Sequence, residues 1–331
     1  MELRLANKIS TTIARKPLDF GQYTVAVLVP CYNEAVAVAK VVKDFQKALP
    51  DATIFVFDNN STDGTAQAAR TAGAEVFEEN RQGKGFVVRR MFTDIEADIY
   101  VLVDGDATYD APSAPAMIER LLADRLDMVV ANRIDTEVAA YRAGHRTGNM
   151  LLTGFVAWVF GPAFNDMLSG YRVFSRRFVK SFPVLSGGFE IETELTIHAL
   201  ELGLPAAEID TPYYARPTGS TSKLNTWRDG FRILNMILAL YRAERPLSFF
   251  SIIGLALAAV SIVLAIPIFI TYVETGLVPR FPTAILSMGL MMLASLSGAV
   301  GLVLDTVSRG RRETKLLAYL SHRAPGEERR A

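Results

Sequence analysis

Short hydrophobic runs alternate with longer amphipathic segments from about residue 24 to residue 131. The short runs predict strands, at 24–29, 52–57, 75–78, 99–103 and 126–131. The longer segments between them predict helices, at 35–49, after the polar loop that ends at 65, and at 86–95. Strands that alternate with helices of this length are typical of βαβ units. The pattern therefore predicts an α/β fold with a mostly parallel sheet.

Two much longer apolar runs follow, from Pro246 to Val273 and from Phe281 to Leu304, and neither contains Asp, Glu, Lys or Arg. Each exceeds the roughly 20 residues that are needed to cross a bilayer, so we expect two transmembrane helices. A buried hairpin in a soluble core is the alternative, but core helices seldom stay uncharged over this length. The connection 274–280 is short, so the two helices form a hairpin.

Charges around this hairpin predict how it is oriented. Arginines precede the first span, and Arg309, Arg311, Arg312 and Lys315 follow the second. This bias places both chain ends in the cytoplasm, so we expect a multi-pass protein of the inner (cytoplasmic) membrane whose α/β domain faces the cytoplasm. The formal net charge is zero, which removes a broad electrostatic reason to expect nucleic acid as a partner. The single cysteine, Cys31, fits a reducing compartment.

The predicted division of the chain follows from these patterns. Residues 1–22 form an extension that is either a basic amphipathic helix on the membrane or a solvated segment. Residues 23–224 form the α/β domain, 225–245 an interfacial amphipathic helix, 246–305 the hairpin, and 306–331 a basic cytoplasmic tail.

Polar loops follow the predicted strands. Asp104-Gly105-Asp106 comes directly after the run 99–103, and Pro30–Glu34 and Asp58–Thr65 leave two earlier strands. Carboxyl ends of parallel strands meet at one crevice, which is the expected ligand site of an open α/β sheet. Two carboxylates there suit Mg²⁺ or Mn²⁺, cations that are usually held by one or two carboxylates together with substrate phosphates. Alone, an Asp-x-Asp triplet is more often an ordinary turn.

A fourth loop, Arg81-Gln82-Gly83-Lys84-Gly85, leads into the helix at 86–95 and suits an anion, because it combines glycines, positive charge and a helix N-terminus. With Val-Pro-x-Tyr-Asn-Glu, Asp-x-x-Ser-Thr-Asp-Gly-Thr, Arg-x-Gly-Lys-Gly and Asp-x-Asp in this order, the chain resembles the family 2 glycosyltransferases of GT-A fold over residues 24–224. It is most similar to the branch of dolichyl-phosphate mannose synthase and the bacterial polyprenyl-phosphate glycosyltransferases. The resemblance implies a Rossmann-like GT-A catalytic domain, followed here by the hairpin.

The resemblance also implies roles for single residues. Donor-binding residues would be Pro30, Tyr32, Asn33, Glu34, Asp58, Arg81, Lys84, Asp104, Gly105 and Asp106. Catalytic residues would be Asp104, Asp106, Arg133, Arg216 and Lys223, with the metal, Mg²⁺ or Mn²⁺, on the two aspartates. Acceptor-binding residues would be Arg146, Ser169, Arg172 and Ser222. Thr108 stands where related synthases carry a glutamine, which leaves a third protein ligand of the metal open.

Three glutamates, Glu190, Glu192 and Glu194, open a further predicted helix. Negative charge is favourable at a helix N-terminus, and this ordinary role is preferred for Glu194. For Glu190 and Glu192 both an ordinary and a functional role stay open.

The implied function is metal-dependent, inverting transfer of a sugar from a nucleotide-sugar to a membrane polyprenyl phosphate in bacterial cell-envelope glycan synthesis. The hairpin and the lack of a Gln-x-x-Arg-Trp motif favour this acceptor, since no glutamine occurs after Gln82. The alternatives are a sugar hydroxyl of a glycolipid or glycan as acceptor, and a non-catalytic membrane-anchored binding or scaffold protein. Small residues in both spans also predict a homo-oligomer through the hairpin.

Overall fold

The structure, a computed structural model, describes residues 22–135, 154, 164–188, 190–217, 238, 239 and 241–326. Its strands are β1 (Val25–Cys31), β2 (Thr53–Asp58), β3 (Glu75–Glu78), β4 (Ile99–Leu102), β5 (Met128–Asp135), β6 (Arg172–Ser175) and β7 (Ala206–Tyr213). Its helices are α1 (Ala35–Ala48), α2 (Thr65–Thr71), α3 (Lys84–Asp94), α4 (Ala114–Ala123), α5 (Arg176–Ser181), α6 (Ile191–Leu202), α7 (Pro246–Thr275) and α8 (Phe281–Leu320). The five predicted strands are all present, with bounds that differ by a few residues.

The strands form one seven-stranded sheet in the order β3-β2-β1-β4-β6-β5-β7. All neighbours are parallel except β6, which runs antiparallel to both β4 and β5. The predicted mostly parallel α/β sheet is therefore confirmed, with one antiparallel strand inserted. The chain order reverses beside β1, which pairs with β2 on one side and with β4 on the other. Such a switch point opens a crevice outside the strand ends.

Side chains on both faces of the sheet are buried. In β1, Val27 and Val29 pack into a core with α1 and α4, while Ala26 and Leu28 pack into a second core with α3 and α6. Successive side chains of a strand point to opposite faces, so a strand covered on both sides must be apolar throughout. This requirement explains the continuous apolar run that predicted β1.

Helices α7 and α8 are long and apolar enough to cross a membrane, and only 11% and 17% of their most apolar windows are buried within the protein. A core helix of a soluble domain would be mostly buried, so these helices form a candidate transmembrane hairpin. They pack closely at Gly254, where a Cβ would lie 3.0 Å from the Ala294 carbonyl oxygen. Ser261 and Ser287 exchange hydroxyl-to-carbonyl hydrogen bonds of 2.7 and 3.0 Å. The homo-oligomer through this hairpin stays a prediction.

Helix α8 does not end near residue 305, where a separate basic tail was expected, but continues to Leu320. At about 60 Å it is far longer than a bilayer core requires. Its last turns dock on the catalytic domain: Tyr319 donates a 2.8 Å hydrogen bond to the buried Asp127, and Lys315 pairs with Glu201 at 2.6 Å. The Arg177 guanidinium also lies 4.6 Å from the centre of the Tyr319 ring. These contacts stabilise a charged segment as helix.

Candidate active site

A cavity of about 310 Å³ opens at the carboxyl ends of β1, β2 and β4. It is lined by Pro30, Cys31, Tyr32, Glu34, Asn59, Gln82, Gly83, Lys84, Val87, Asp104, Gly105, Asp106 and Arg216. Residues of the four loops that the sequence pattern predicted, joined by Arg216, therefore meet where the chain order of the sheet reverses.

Asp104 and Asp106 each pair with a cation of the protein. Lys84 is buried and its ammonium contacts the carboxylates of both Asp104 and Glu192. The Arg216 guanidinium contacts Asp106 Oδ2 at 2.7 Å. Burial lowers the pKa of Lys84, but the two neighbouring carboxylates outweigh burial and the net shift is upward. Lys84 is therefore charged, and the pair of aspartates is held with two positive groups beside it.

Thr108 turns toward Asp106 rather than into the cavity. Its hydroxyl donates a 2.6 Å hydrogen bond to Asp106 Oδ1, and its backbone N–H donates to the same oxygen at 3.2 Å. Burial, followed by the charge of Asp104, raises the pKa of Asp106. Within the described part of the chain, no group of three His, Cys, Asp or Glu residues is placed to hold a metal ion. Thr108 thus positions Asp106. Among the described residues, no further His, Cys, Asp or Glu joins the two aspartates as a metal ligand.

Two glycines allow the aspartates to sit so close to the sheet. A Cβ at Gly105 would lie 2.4 Å from Cys31 Sγ in β1, and a Cβ at Gly170 would lie 2.4 Å from Asp104 Oδ2. Atoms this close would overlap, so a side chain at either position has to displace its neighbour. Gly170 was not among the predicted site residues, although it lies between two that were, Ser169 and Arg172.

Asp58 is the buried last residue of β2 and directly precedes Asn59, which lines the cavity. Its Oδ2 accepts a hydrogen bond from the Ser61 N–H at 3.2 Å, whereas Oδ1 is buried and has no hydrogen-bond partner among the described residues. A buried acceptor without a partner is costly, so it is a natural point for a ligand N–H. Nearby, Asn33 accepts a hydrogen bond from the Thr62 N–H at 2.8 Å, and the Tyr32 ring is exposed at the rim.

Asn59, which sequence analysis missed, links this loop to the loop that carries Lys84. Its amide donates to the carbonyl oxygens of Glu79 at 2.8 Å and Arg81 at 2.7 Å, and its oxygen accepts from the Gly83 N–H at 2.7 Å. Asn59 directly follows Asp58, but its partners are 20 to 24 positions away along the chain, so no local pattern pointed to them.

Other predicted site residues lie elsewhere or have other partners. Arg133 forms a two-point ion pair with Asp166, at 2.6 and 2.8 Å, and Arg81 pairs with Glu79 at 3.0 Å; neither arginine lines the cavity. Ser169 and Arg172 are fully buried. The Arg172 guanidinium donates to the carbonyl oxygens of Ser169 and Met167 and to the Thr196 hydroxyl, at 2.9, 2.6 and 2.8 Å.

These contacts join β6 to α6, and they do not present Arg172 or Ser169 to an acceptor. Burial lowers the pKa of Arg172 to about 10, which still leaves the guanidinium charged at neutral pH. The predicted residues Arg146, Ser222 and Lys223, the extension and most of the segment 225–245 lie outside the described residues.

Two of the three glutamates at the start of α6 bind other segments of the chain. Glu192 is buried and binds Lys84. Both oxygens of Glu194 accept backbone hydrogen bonds of 2.8 Å, from the N–H groups of Leu185 and Ser186. Glu194 lies in the first turn of α6, as the helix-terminal interpretation expects, and its carboxylate in addition binds the preceding loop.

The sheet, its switch point and the paired aspartates together define a glycosyltransferase domain of GT-A type. The family model for Glycosyl transferase family 2 matches residues 26–181. Glycosyltransferase AglJ of Haloferax volcanii is 36% identical over 244 residues, which cover 73% of this chain and 80% of that protein. The chain belongs to glycosyltransferase family 2, and the family predicted from the sequence is confirmed.

Two further relatives extend this comparison. The dolichyl-phosphate hexose transferase of Haloferax volcanii is 26% identical over 220 residues, covering 66% of this chain and 95% of that protein. The fold is similar to that of glucosyl-3-phosphoglycerate synthase from Mycobacterium tuberculosis, solved with Mn²⁺, UDP and glucosyl-3-phosphoglycerate. The TM-score is 0.56 at 21% identity, covering 72% of this chain and 85% of that chain. The GT-A fold is therefore confirmed, and the protein is a hexosyltransferase.

Proposed function

We propose that this enzyme transfers a hexosyl group from a nucleotide-sugar to a polyprenyl phosphate in the membrane, with inversion at the anomeric carbon. The observation that carries the proposal is the cavity itself. Tyr32, Glu34 and Asn59 line it together with the aspartates, Lys84 and Arg216. Asp58, whose Oδ1 is an unsatisfied acceptor, directly precedes Asn59. This arrangement suits a molecule with N–H groups at one end and a diphosphate at the other.

The residues at the diphosphate end fit a divalent cation, Mg²⁺ or Mn²⁺. Two carboxylates without a third acidic or histidine ligand among the residues that the structure describes match the usual mode in which substrate phosphates complete the coordination. The presence of Mn²⁺ and UDP in the structurally similar synthase supports this assignment. When bound, the cation would offset the negative charge that develops on the leaving diphosphate. Asp104 and Asp106 would hold it.

The protein's own cations would share this task. Lys84 and Arg216 already lie against Asp104 and Asp106, so small shifts of their side chains place them on diphosphate oxygens. Arg133, and Lys223 outside the described residues, remain proposed catalytic residues. Arg133 would first have to exchange its ion pair with Asp166 for a phosphate.

A phosphate acceptor fits the finding that the carboxylates around Lys84 and Arg216 are paired with cations. Asp104, Asp106 and Glu192 are each paired with a cation, so none of these three is presented as a general base. A hydroxyl acceptor requires such a base within hydrogen-bond reach. A phosphate monoester, with a second pKa of about 6, is already largely dianionic at pH 7 and requires none. The named activity of the dolichyl-phosphate relative supports the same acceptor class.

The candidate hairpin supports a membrane-bound acceptor as well. We propose that α7 and α8 anchor the protein in the inner membrane, with the catalytic domain on the cytoplasmic side, where a nucleotide-sugar is available. Cell-envelope glycan synthesis is the proposed context.

The test uses the full-length protein in membranes, a panel of labelled nucleotide-sugars, Mn²⁺ or Mg²⁺, and polyprenyl phosphate. With the wild-type protein and one of the donors, we expect labelled sugar on the polyprenyl phosphate. Asp106→Asn should give only background labelling, because it removes the charge of one of the two proposed metal ligands. Asp124→Asn changes an aspartate in a surface pair with Arg120 and serves as the control that retains activity. Label only in a glycolipid hydroxyl would refute the phosphate acceptor, and full activity of Asp106→Asn would refute the metal assignment.

A further inference from the structure

The loop at residues 183–188, here called the bridging loop, has a strained backbone. Val184 has a φ of 42°, a conformation that a β-branched residue rarely adopts, and its side chain is buried. Strain of this kind persists only where neighbouring groups hold it. Two side chains do so here. Arg89 donates to the Val184 carbonyl oxygen from Nε and Nη2 at 2.9 and 2.6 Å, and Glu194 accepts from the next two N–H groups.

The bridging loop lies directly against the turn that carries Lys84. A Cβ at Gly83 would be 2.1 Å from the Gly187 carbonyl oxygen, and a Cβ at Gly85 would be 2.2 Å from the Ser186 carbonyl oxygen. The two glycines on either side of Lys84 therefore contact the backbone of the loop. A movement of the loop by even 1 Å would change the position of the Lys84 backbone.

Lys84 is held at its other end by the same segment of chain. Its ammonium binds Glu192, which lies in the first turn of α6, immediately after the bridging loop. Glu194 is in that turn as well, and both of its oxygens bind the loop rather than solvent. One helical turn thus controls both the backbone and the ammonium of Lys84.

We infer that Glu194 is a positioning residue for Lys84 and, through it, sets the affinity for the donor's diphosphate. This inference rests on the proposed function, which assigns the diphosphate to the Lys84 end of the cavity. Without the Glu194 carboxylate, the N–H groups of Leu185 and Ser186 lose their acceptors and the strained loop relaxes. Lys84 then leaves the position in which it meets the diphosphate.

The experiment measures nucleotide affinity of the full-length protein in detergent by calorimetry, with Mn²⁺ present. UDP is tried first, followed by other nucleoside diphosphates if UDP does not bind. Glu194→Ala is expected to weaken binding about tenfold, a change of about 1.4 kcal/mol. Glu194→Gln, which keeps one acceptor oxygen, is expected to fall between Glu194→Ala and the wild type. Glu201→Gln is the matched control, because it removes a carboxylate of the same helix that pairs with Lys315.

A merely structural role is separated from positioning by a double-mutant cycle with Lys84→Met. If Glu194 acts through Lys84, then Glu194→Ala has no further effect on nucleotide affinity in the Lys84→Met protein. Lys84→Gln provides a second neutral background, and melting curves confirm that each variant is folded. Equal tenfold losses with and without Lys84 would overturn the inference, as would an equal loss in Glu201→Gln.

The same experiment separates this inference from the proposed function. If the wild-type protein binds none of the nucleoside diphosphates, the proposed function fails. If the wild type binds and Glu194→Ala binds equally well, only the positioning role of Glu194 fails.

Discussion

Gly170 provides a sharp test of the proposed metal site, because it lies against Asp104. A Cβ built at Gly170 would lie 2.4 Å from Asp104 Oδ2, 2.9 Å from Cγ and 3.0 Å from Oδ1. Ordinary contacts of this kind begin near 3.4 Å, so the methyl group of Gly170→Ala would be about 1 Å too close. The Gly170 N–H also donates a 2.8 Å hydrogen bond to the Tyr109 hydroxyl, which restrains the backbone on the other side.

Rotation of the Asp104 carboxylate does not relieve this contact, because all three of its outer atoms lie within 3.0 Å of the added carbon. The whole side chain must move, and that movement breaks the contact with Lys84. A misplacement of about 1 Å in a catalytic constellation can cost roughly 100-fold in rate. We therefore expect Gly170→Ala to reduce hexosyl transfer about 100-fold and to weaken Mn²⁺ binding.

Two assays on the full-length protein measure these effects: transfer of labelled sugar to polyprenyl phosphate, and Mn²⁺ binding followed by electron paramagnetic resonance. Gly310→Ala is the control, since a Cβ at that position in α8 meets no atom within 4 Å. Transfer and Mn²⁺ affinity within about twofold of the wild type for Gly170→Ala would show that Asp104 tolerates displacement. The assignment of Asp104 as a metal ligand would then be refuted, since its position would not matter.

Two further predictions concern stability. Burial lowers the pKa of His198 to about 3. The unfolded state therefore takes up a proton near pH 6.5, whereas the folded state does not. The stability that depends on a neutral His198 is complete above pH 6.5 and is lost as the pH falls toward 3. At pH 5 we expect the free energy of unfolding, measured in urea, to be about 2 kcal/mol lower than above pH 6.5. His198→Leu should remove this pH dependence, and an unchanged pH dependence would contradict the assignment. Tyr319→Phe should lower the stability of the docked helix end by about 1.5 to 3 kcal/mol, because it removes a hydrogen bond to a buried aspartate. Thermal melts measure this loss. The control is Tyr272→Phe, which changes an exposed tyrosine of α7. Equal melting temperatures of Tyr319→Phe and the wild type would refute the docking role.

The parts of the fold that follow from local patterns were predictable. Strands β1, β2 and β4 and the first half of β5 are continuous or nearly continuous apolar runs, because a sheet covered on both faces requires them. The last two strands gave no such signal. Strand β6 has only four residues and begins and ends with Arg172 and Ser175, while β7 lies at the sheet edge and contains Pro212. Their pairing depends on contacts distant in sequence, which periodicity does not report.

In the candidate site as well, local patterns predicted some features, whereas others depend on contacts distant in sequence. The four loops that carry the motifs all contribute to one cavity, because each loop follows a strand of one sheet. The family resemblance assigned Arg172 to the acceptor, yet its side chain is fully buried and three protein acceptors compensate that burial. Glu194 was dismissed because a glutamate in a first helical turn needs no special partner. In both cases the deciding contacts come from another segment of the chain.

Helix α8 links the candidate membrane hairpin to the catalytic domain, and this link bears on the acceptor. From Asp305 to Leu320 it adds about 24 Å of helix beyond the apolar run, and it ends in the docked contacts of Lys315 and Tyr319. Its partner Glu201 belongs to α6, the same helix that binds Lys84 through Glu192. A rigid connection of this kind holds the cavity at a constant position relative to the hairpin. That arrangement reduces the entropic cost of bringing the cavity together with an acceptor that is confined to the membrane. It does not reduce this cost for an acceptor that diffuses freely in water. The connection therefore supports a lipid-linked substrate.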